Sequence, residues 1–355
     1  MDPLKESIFT STLRALFKAI AIIIGIFIAF IPIGIVIGML GKDADTGDKT
    51  TTSYLPDLNG NSQILSPSSP AILRINIQGV IGTKEGVTAE DIEAQLIDSQ
   101  KGLLKDKRIK GILLYLKTPG GSALDSDTIY RLLLSYKEKF NIPIYAYVDG
   151  LCASGGMYIG CSADRIYSST VGMIGSIGVV IGPFFNVTDA LQKLGIESKT
   201  ITQGKDKDMM SPFRKWKEGE DQSLVRIGSY LYEVFVDIVL KHRPRINRQK
   251  LLHEYGAQVF DPPTAEELGY IDVADSSYKE ALLDLLHKSD IDPKKPYQIV
   301  ELKSKKQWLS DLLRGHSPLT SGRVVHEFSI GNFDSKANGF SYLYEPASST
   351  PILIK

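Results

Sequence analysis

Apolar and polar positions divide the chain into three regimes. From Ala19 to Leu40 the run AIAIIIGIFIAFIPIGIVIGML carries no charge, and about 20 such residues suffice for a helix to cross the hydrocarbon core of a bilayer. The pattern predicts one span at 19–40 behind a short tail, 1–18. A secretory signal peptide is the competing reading, but its apolar core is usually only about 7 to 15 residues and a small-residue cleavage site follows it; none follows Leu40. Lys5, Arg14 and Lys18 precede the run, so the positive-inside bias assigns the N-terminus to the cytoplasm and the rest of the chain to the far side. Pro32 is tolerable in such a helix. Residues 41–70 are rich in Asp, Thr, Ser, Gly and Pro and include SPSSP at 66–70, which predicts a linker.

From Ala71 short apolar runs alternate with amphipathic stretches, the signature of a parallel sheet with crossover helices. Strands are expected at AILRINI (71–77), IKGILLYLK (109–117), IPIYAYV (142–148), RIYSS (165–169) and ESKTIT (197–202). Helices are expected after a Thr88 cap, at 124–140, 152–162, from about Val187, and at 216–242, 248–255 and 277–287. The segment TAEELGYIDVAD (264–275) belongs to the same domain, which should extend over 71–315. Residues 316–355 carry little periodicity and read as a tail.

With 355 residues, 43% apolar and 23% charged, the chain can bury a sizeable core. Lys plus Arg and Asp plus Glu are both 41, so no global field attracts nucleic acid, and no nucleic-acid partner is expected. Cys152 and Cys161 are too far apart for a disulfide if the stretch between them is helical, and read as free thiols. There is no C-x-x-C; His253-Glu254 and His326-Glu327 lack the second His of H-E-x-x-H; Walker A and G-x-G-x-x-G strings are absent. Neither a metal nor a cofactor is expected.

In open α/β sheets ligands collect beyond the carboxyl ends of parallel strands. Two loops there are unusual. One is Lys117-Thr118-Pro119-Gly120-Gly121-Ser122, whose paired glycines let backbone N–H groups approach a ligand oxygen. The other, Asp149 to Tyr158, presents Ser154 at a strand-to-helix turn, as in a nucleophile elbow with Cys152 in the place of the first Gly. Taken singly, each has a structural reading, a turn or a helix cap. Together they can supply a nucleophile and an oxyanion hole built from Gly155 and the Gly120–Gly121 turn. All five histidines, His242, His253, His287, His316 and His326, lie in undistinguished settings. The other available base is a lysine kept neutral by burial, in the string Gln203 to Pro212. Lys205 and Lys207 point the same way if that string is extended. Met209 and Met210 offer Lys207 apolar cover, whereas Asp208 works against it by favouring the ammonium form.

Four separated segments, TPGG (118–121), ASGGMY (153–158), GSIGVV (175–180) and KDMMSPFR (207–214), with AEELGYID at 265–272, resemble in order and spacing the signatures of the signal peptide peptidase A, or protease IV, family, serine peptidase family S49. The resemblance covers about Ala71 to Leu286 and is to the short, single-domain bacterial form. It implies a fold similar to the Clp protease and crotonase superfamily, a doubly wound α/β sheet, with Ser154 as nucleophile and Lys207 as general base. It further implies a homo-oligomeric ring with sites completed between neighbours. Such a protein would sit in the inner (cytoplasmic) membrane, its catalytic domain extracytoplasmic, degrading cleaved signal peptides and other membrane-near peptides bound as added strands. Three features depart from the family pattern: Thr118 before the Pro, Cys152 near the nucleophile, and the extra Lys205. Two other functions compete: a crotonase-like acyl-CoA enzyme, which the predicted topology opposes because CoA is cytoplasmic, and an inactive membrane scaffold, which retention of Ser154 and Lys207 opposes.

Overall fold

Period-two alternation along three strands, each with apolar side chains on both faces, decides the architecture. In the computed structural model, Leu73, Ile75 and Ile77 of β2 (Ala71–Gln78), Ile112, Leu114 and Leu116 of β3 (Ile109–Thr118), and Ile144, Ala146 and Val148 of β5 (Ile144–Ala153) belong to one core. The residues between them, Ile72, Leu113, Tyr145 and Tyr147, belong to a second core. A sheet buried on both faces reads as near-continuous hydrophobic runs, which is how parallel sheets are written in sequence. The structure describes residues 16–18, 20, 21, 25, 50–62 and 64–304, with the backbone of 341–343.

The sheet runs β1-β9-β2-β3-β5-β7-β8, with β6 also paired to β5. Here β1 is Thr50–Leu55, β6 Arg165–Ser168, β7 Met173–Gly175, β8 Val259–Phe260 and β9 Gln298–Ser304. Pairing is parallel from β9 through β7 and antiparallel at both margins, β1 with β9 and β7 with β8. The result is a mixed α/β sheet with helices on both faces. The first core receives α1 (Ala89–Asp98), α2 (Ala123–Phe140), α3 (Gly155–Gly160) and α5 (Gln222–His242). The short α4 (Thr188–Lys193) contributes nothing to it, and α6 (Pro262–Leu268) contributes Ala265. The second core receives α7 (Tyr278–Lys288) through Ala281, Leu282, Leu285 and Leu286. Helix starts obey local chemistry: Thr88 and Ser277 each accept the backbone N–H three residues on, while Asp91 and Glu280 reach back to close capping boxes.

Several expectations are corrected. Within the stretch read as a linker, Thr50–Leu55 forms β1, held to β9 from Thr50↔Ser304 to Leu55↔Ile299. The strand expected at 142–148 continues to Ala153, so the helix expected at 152–162 is confined to Gly155–Gly160. ESKTIT forms no strand and is exposed throughout. A strand needs a ladder partner, and β8 already occupies the free side of β7 through Ile174↔Phe260. The helix expected at 216–242 begins at Gln222, after a turn in which Gly219 has φ 72°. At 248–255, one α turn passes into a π turn that stops at Gly256. Strand β9 had no counterpart among the expected elements.

Contacts divide the chain into residues 1–48 and 49–355. The expected span 19–40 lies outside the described residues except for Ile20, Ala21 and Gly25, which are helical. No helix among the described residues is long and apolar enough to cross a membrane. The expected tail 316–355 is described only at β10 (Ser341–Leu343).

Leu285 is fully buried beneath the sheet. Leu285→Ala should lower the unfolding free energy by about 2–5 kcal/mol, read as a shifted midpoint in chemical denaturation.

Candidate active site

Parallel pairing of β3 with β5 sets Thr118 opposite Cys152, so the loops that follow these strands emerge side by side. They then approach more closely than side chains allow. A Cβ built on Gly155 would lie 2.4 Å from Ser126 Oγ and 3.4 Å from the Gly120 Cα, and one on Gly156 would lie 2.7 Å from Thr118 Cγ2. Gly121, at φ 153°, would drive a Cβ to 2.1 Å from the Ile81 carbonyl oxygen, a contact no side chain survives. The two glycine pairs expected to act together are therefore in contact.

Ser154 occupies the strand-to-helix turn with φ 53° and ψ −115°. A non-glycine residue at positive φ costs of order 1–3 kcal/mol and persists only where its surroundings hold it. Here the Ser154 N–H donates to the Gly175 carbonyl at 2.9 Å, and its own carbonyl accepts the Tyr158 N–H at 3.1 Å. The side chain is buried, with Oγ lacking any hydrogen-bond partner. Gly155, next in sequence, is the first residue of α3, where an amide has no helical carbonyl to bond, and among the described residues it donates to none.

The Gly120–Gly121 turn divides its duties. The Gly120 N–H donates to Thr118 Oγ1 at 3.0 Å, and Thr118 Oγ1 donates to the Gly79 carbonyl at 2.6 Å. Of the three expected oxyanion donors, Gly120 is therefore already engaged, and Thr118 is the residue that engages it. The Gly120 carbonyl and Ser122 N–H both bond Ile81, at 2.8 and 2.9 Å. By strand alternation the Gly121 amide and carbonyl face the opposite edge. On that edge β4 (Gly120–Ser122) pairs antiparallel with β10, Gly121 opposite Tyr342. The same segment lies beside α2 and α3, so an extended strand passes the turn and the helix that follows Ser154.

No histidine among the described residues reaches Ser154. His242 Nε2 is 2.7 Å from Tyr130 Oη, and burial holds its imidazole below the usual range. His253 and His287 are exposed, and His316 and His326 lie outside the described residues. The lysines are not brought to Ser154 either. Lys205 and Lys207 are both exposed, and neither side chain makes a hydrogen bond or ion pair among the described residues. The burial expected of the basic lysine is thus absent from the single chain. Asp208, expected to oppose Lys207, is instead held by Arg214 Nε at 2.7 Å. Sequence reading missed Arg214 as a partner, because five residues of loop lie between the two.

Cys152 stands two residues before Ser154 but is fully buried, with Sγ 3.7 Å from Met157 Sδ, and burial pushes its thiol far above the ordinary range. Burial pushes the Cys161 thiol up to about 11. Both thiols are free. No group of three or more His, Cys, Asp or Glu side chains that could hold a metal occurs among the described residues.

The model of the family described as "Peptidase family S49" matches residues 137–291. A candidate signal peptide peptidase SppA from Enterococcus faecium is 29% identical over 90% of this chain and 97% of its own length. The candidate protease slr0021 of Synechocystis sp. is 30% identical over 57% of this chain and 68% of its own. The chloroplastic serine protease SPPA of Arabidopsis thaliana is 28% identical over 63% of this chain and 32% of its own.

The thiols provide a direct check on the site. Native protein at pH 8 should leave both cysteines unreacted toward a disulfide reagent, and both should titrate once guanidinium unfolds the chain. Rapid native labelling of one thiol would make Cys152 a rival nucleophile.

Proposed function

This chain belongs to peptidase family S49, and from that premise we propose that it is a membrane-anchored endopeptidase with a Ser154–Lys207 dyad that degrades cleaved signal peptides and other membrane-near peptides. It is a serine peptidase. The observation that carries the finer reading is Ser154 itself: a hydroxyl held at positive φ, buried and without a partner among the described residues, beside a helix N-terminus whose first amide bonds none of them. In the proposed reaction Ser154 Oγ attacks the scissile carbonyl, and its proton passes to the neutral Lys207 amine. The tetrahedral oxyanion accepts a hydrogen bond from the Gly155 N–H, and from the Gly121 N–H once a substrate displaces the strand paired at that edge. Collapse expels the amine, which takes the proton back from Lys207, and water then hydrolyses the acyl-enzyme by the same relay.

The pairing of β4 with β10 supports recognition of extended peptides. An edge that accepts an antiparallel strand at Gly120–Ser122 reads main chain rather than side chains, which suits substrates of varied sequence. The exposed apolar residues between 171 and 230 support a homo-oligomeric ring. Val171, Phe185, Leu194, Ile201 and Tyr230 are 80%, 65%, 72%, 83% and 67% exposed, large side chains that a neighbouring copy would cover. A neighbouring copy against this segment would also supply the cover that Lys207 lacks in the single chain. The charge-free run 19–40 supports anchoring, with residues 1–18 cytoplasmic and the catalytic domain extracytoplasmic.

Ser154→Ala should abolish peptide hydrolysis by several orders of magnitude while leaving the denaturation midpoint nearly unchanged. Lys207→Met should be inactive and Lys205→Met largely active; the opposite pattern moves the base to Lys205. Protease added to spheroplasts should digest the domain and spare the N-terminal tail. Protection of the whole domain would reverse the topology and favour the acyl-CoA alternative.

A further inference from the structure

The segment carrying Lys207 holds one cluster of charge that the proposed reaction does not use. Arg214 Nε and one terminal nitrogen grip the Asp208 carboxylate at 2.7 and 3.1 Å, and the same terminal nitrogen reaches Glu220 Oε2 at 2.5 Å. Arg214 also donates to the backbone carbonyls of Asp208 and Lys215 at 2.8 and 3.0 Å, closing the turn on itself. Glu220, whose side chain is 2% exposed, uses its second oxygen to accept the Met210 N–H at 3.4 Å. Hydrogen bonding to Arg214 holds both carboxyls below their usual range. In a stretch otherwise exposed, a buried acid, an arginine and a second acid are locked around Met209 and Met210.

The other charged groups around this turn are uncommitted or engaged elsewhere. Among the described residues, Lys205, Asp206, Glu218 and Asp221 form no ion pair, Lys217 makes none but adds a weaker Coulombic pull on Asp208 behind that of Arg214, and Lys215 meets Asp189 of α4 at 3.9 Å. Asp208 is therefore the carboxylate adjacent to Lys207 that has a committed partner, and Arg214 is that partner.

Resting on the reading of Lys207 as base, we propose that Arg214 is its positioning residue: by gripping Asp208 it turns that carboxylate away from the lysine amine, cancels its charge, and anchored on Glu220 holds the turn that presents Lys207. An uncancelled carboxylate next to an ammonium stabilises the charged form. Proton acceptance from Ser154 requires the uncharged amine, so releasing Asp208 would lower the fraction of competent enzyme at any pH below the lysine's titration. Arg214 touches neither substrate nor nucleophile in this scheme. Its effect should therefore be read in pH dependence rather than in substrate affinity.

The test uses the full-length protein in detergent and an apolar fluorogenic peptide, with kcat/KM measured across pH. In Arg214→Gln the acidic limb should move to higher pH by about one unit or more, with KM little changed. Adding Asp208→Asn to that variant should return the midpoint toward wild type, since the carboxylate that caused the shift is gone. A uniform loss at every pH without rescue overturns the proposal, because that is what simple loosening of the loop produces. Should Arg214→Gln fail to fold because Glu220 is left buried and unpaired, Asp208→Asn alone decides: its midpoint should stay or fall, and a rise overturns the proposal. Lys207→Met separates the two levels. If it is inactive while Arg214→Gln keeps the wild-type midpoint, only the role of Arg214 falls; if it remains active, the base assignment falls and this proposal with it.

Discussion

Close backbone approach at the ends of two neighbouring strands is the constraint on which the rest of this site depends. Parallel register brings Thr118 level with Cys152, and beyond that point the chains converge until only hydrogen atoms fit at Gly121, Gly155 and Gly156. The approach is held from both sides: Ile81 bonds the outer face of the Gly120–Ser122 turn, and Thr118 Oγ1 pins Gly120 from beneath. A side chain at either glycine pair would push the turns apart and move the Gly121 amide away from the start of α3.

The same geometry forces Ser154 into its strained conformation. Strand β5 must continue to Ala153 to keep its pairing with β7, and α3 must begin at Gly155 to pack against α2 and β3. One residue is left to reverse the direction of the backbone, and positive φ at Ser154 does so. The sheet hydrogen bonds and the burial of Met157, Tyr158 and Ile159 offset the local cost. The hydroxyl is then buried, with no hydrogen-bond partner among the described residues to compete for it.

Ser154 is organised by the sheet, whereas the segment carrying Lys205 and Lys207 is organised by charge. Around 205–220 few apolar side chains are buried, and the turn takes its shape from Arg214 bridging Asp208 and Glu220. An ion cluster with one acid at 2% exposure is stable only while every member keeps its partner. Phe213 and Trp216 in the same part of the chain are left exposed at 51% and 39%. On the proposed reading, one half of the dyad is preorganised within the chain, and the other is held by its loop and shielded by assembly.

Much of this was legible in residue order. Alternating apolar runs identified the central strands; the Thr88 cap and the amphipathic stretch 124–140 identified two helices; Gly120, Gly121, Ser154 and Gly155 stood out because their chemistry is written in contiguous residues. Elements that depend on distant partners were not legible. Strand β1 exists because β9 lies alongside it, some 250 residues away in sequence, and ESKTIT, with good strand composition, has no edge left to join. The engagement of Gly120 by Thr118, the taming of Asp208 by Arg214, and the exposure of Lys207 are likewise relations across space. Sequence determined the central strands, the helix starts and which residues were candidates for the site, because propensity, periodicity and contiguous motifs are local. The tertiary structure alone decided which of them meet, because register, close approach and burial are set by packing between segments that the chain order keeps apart.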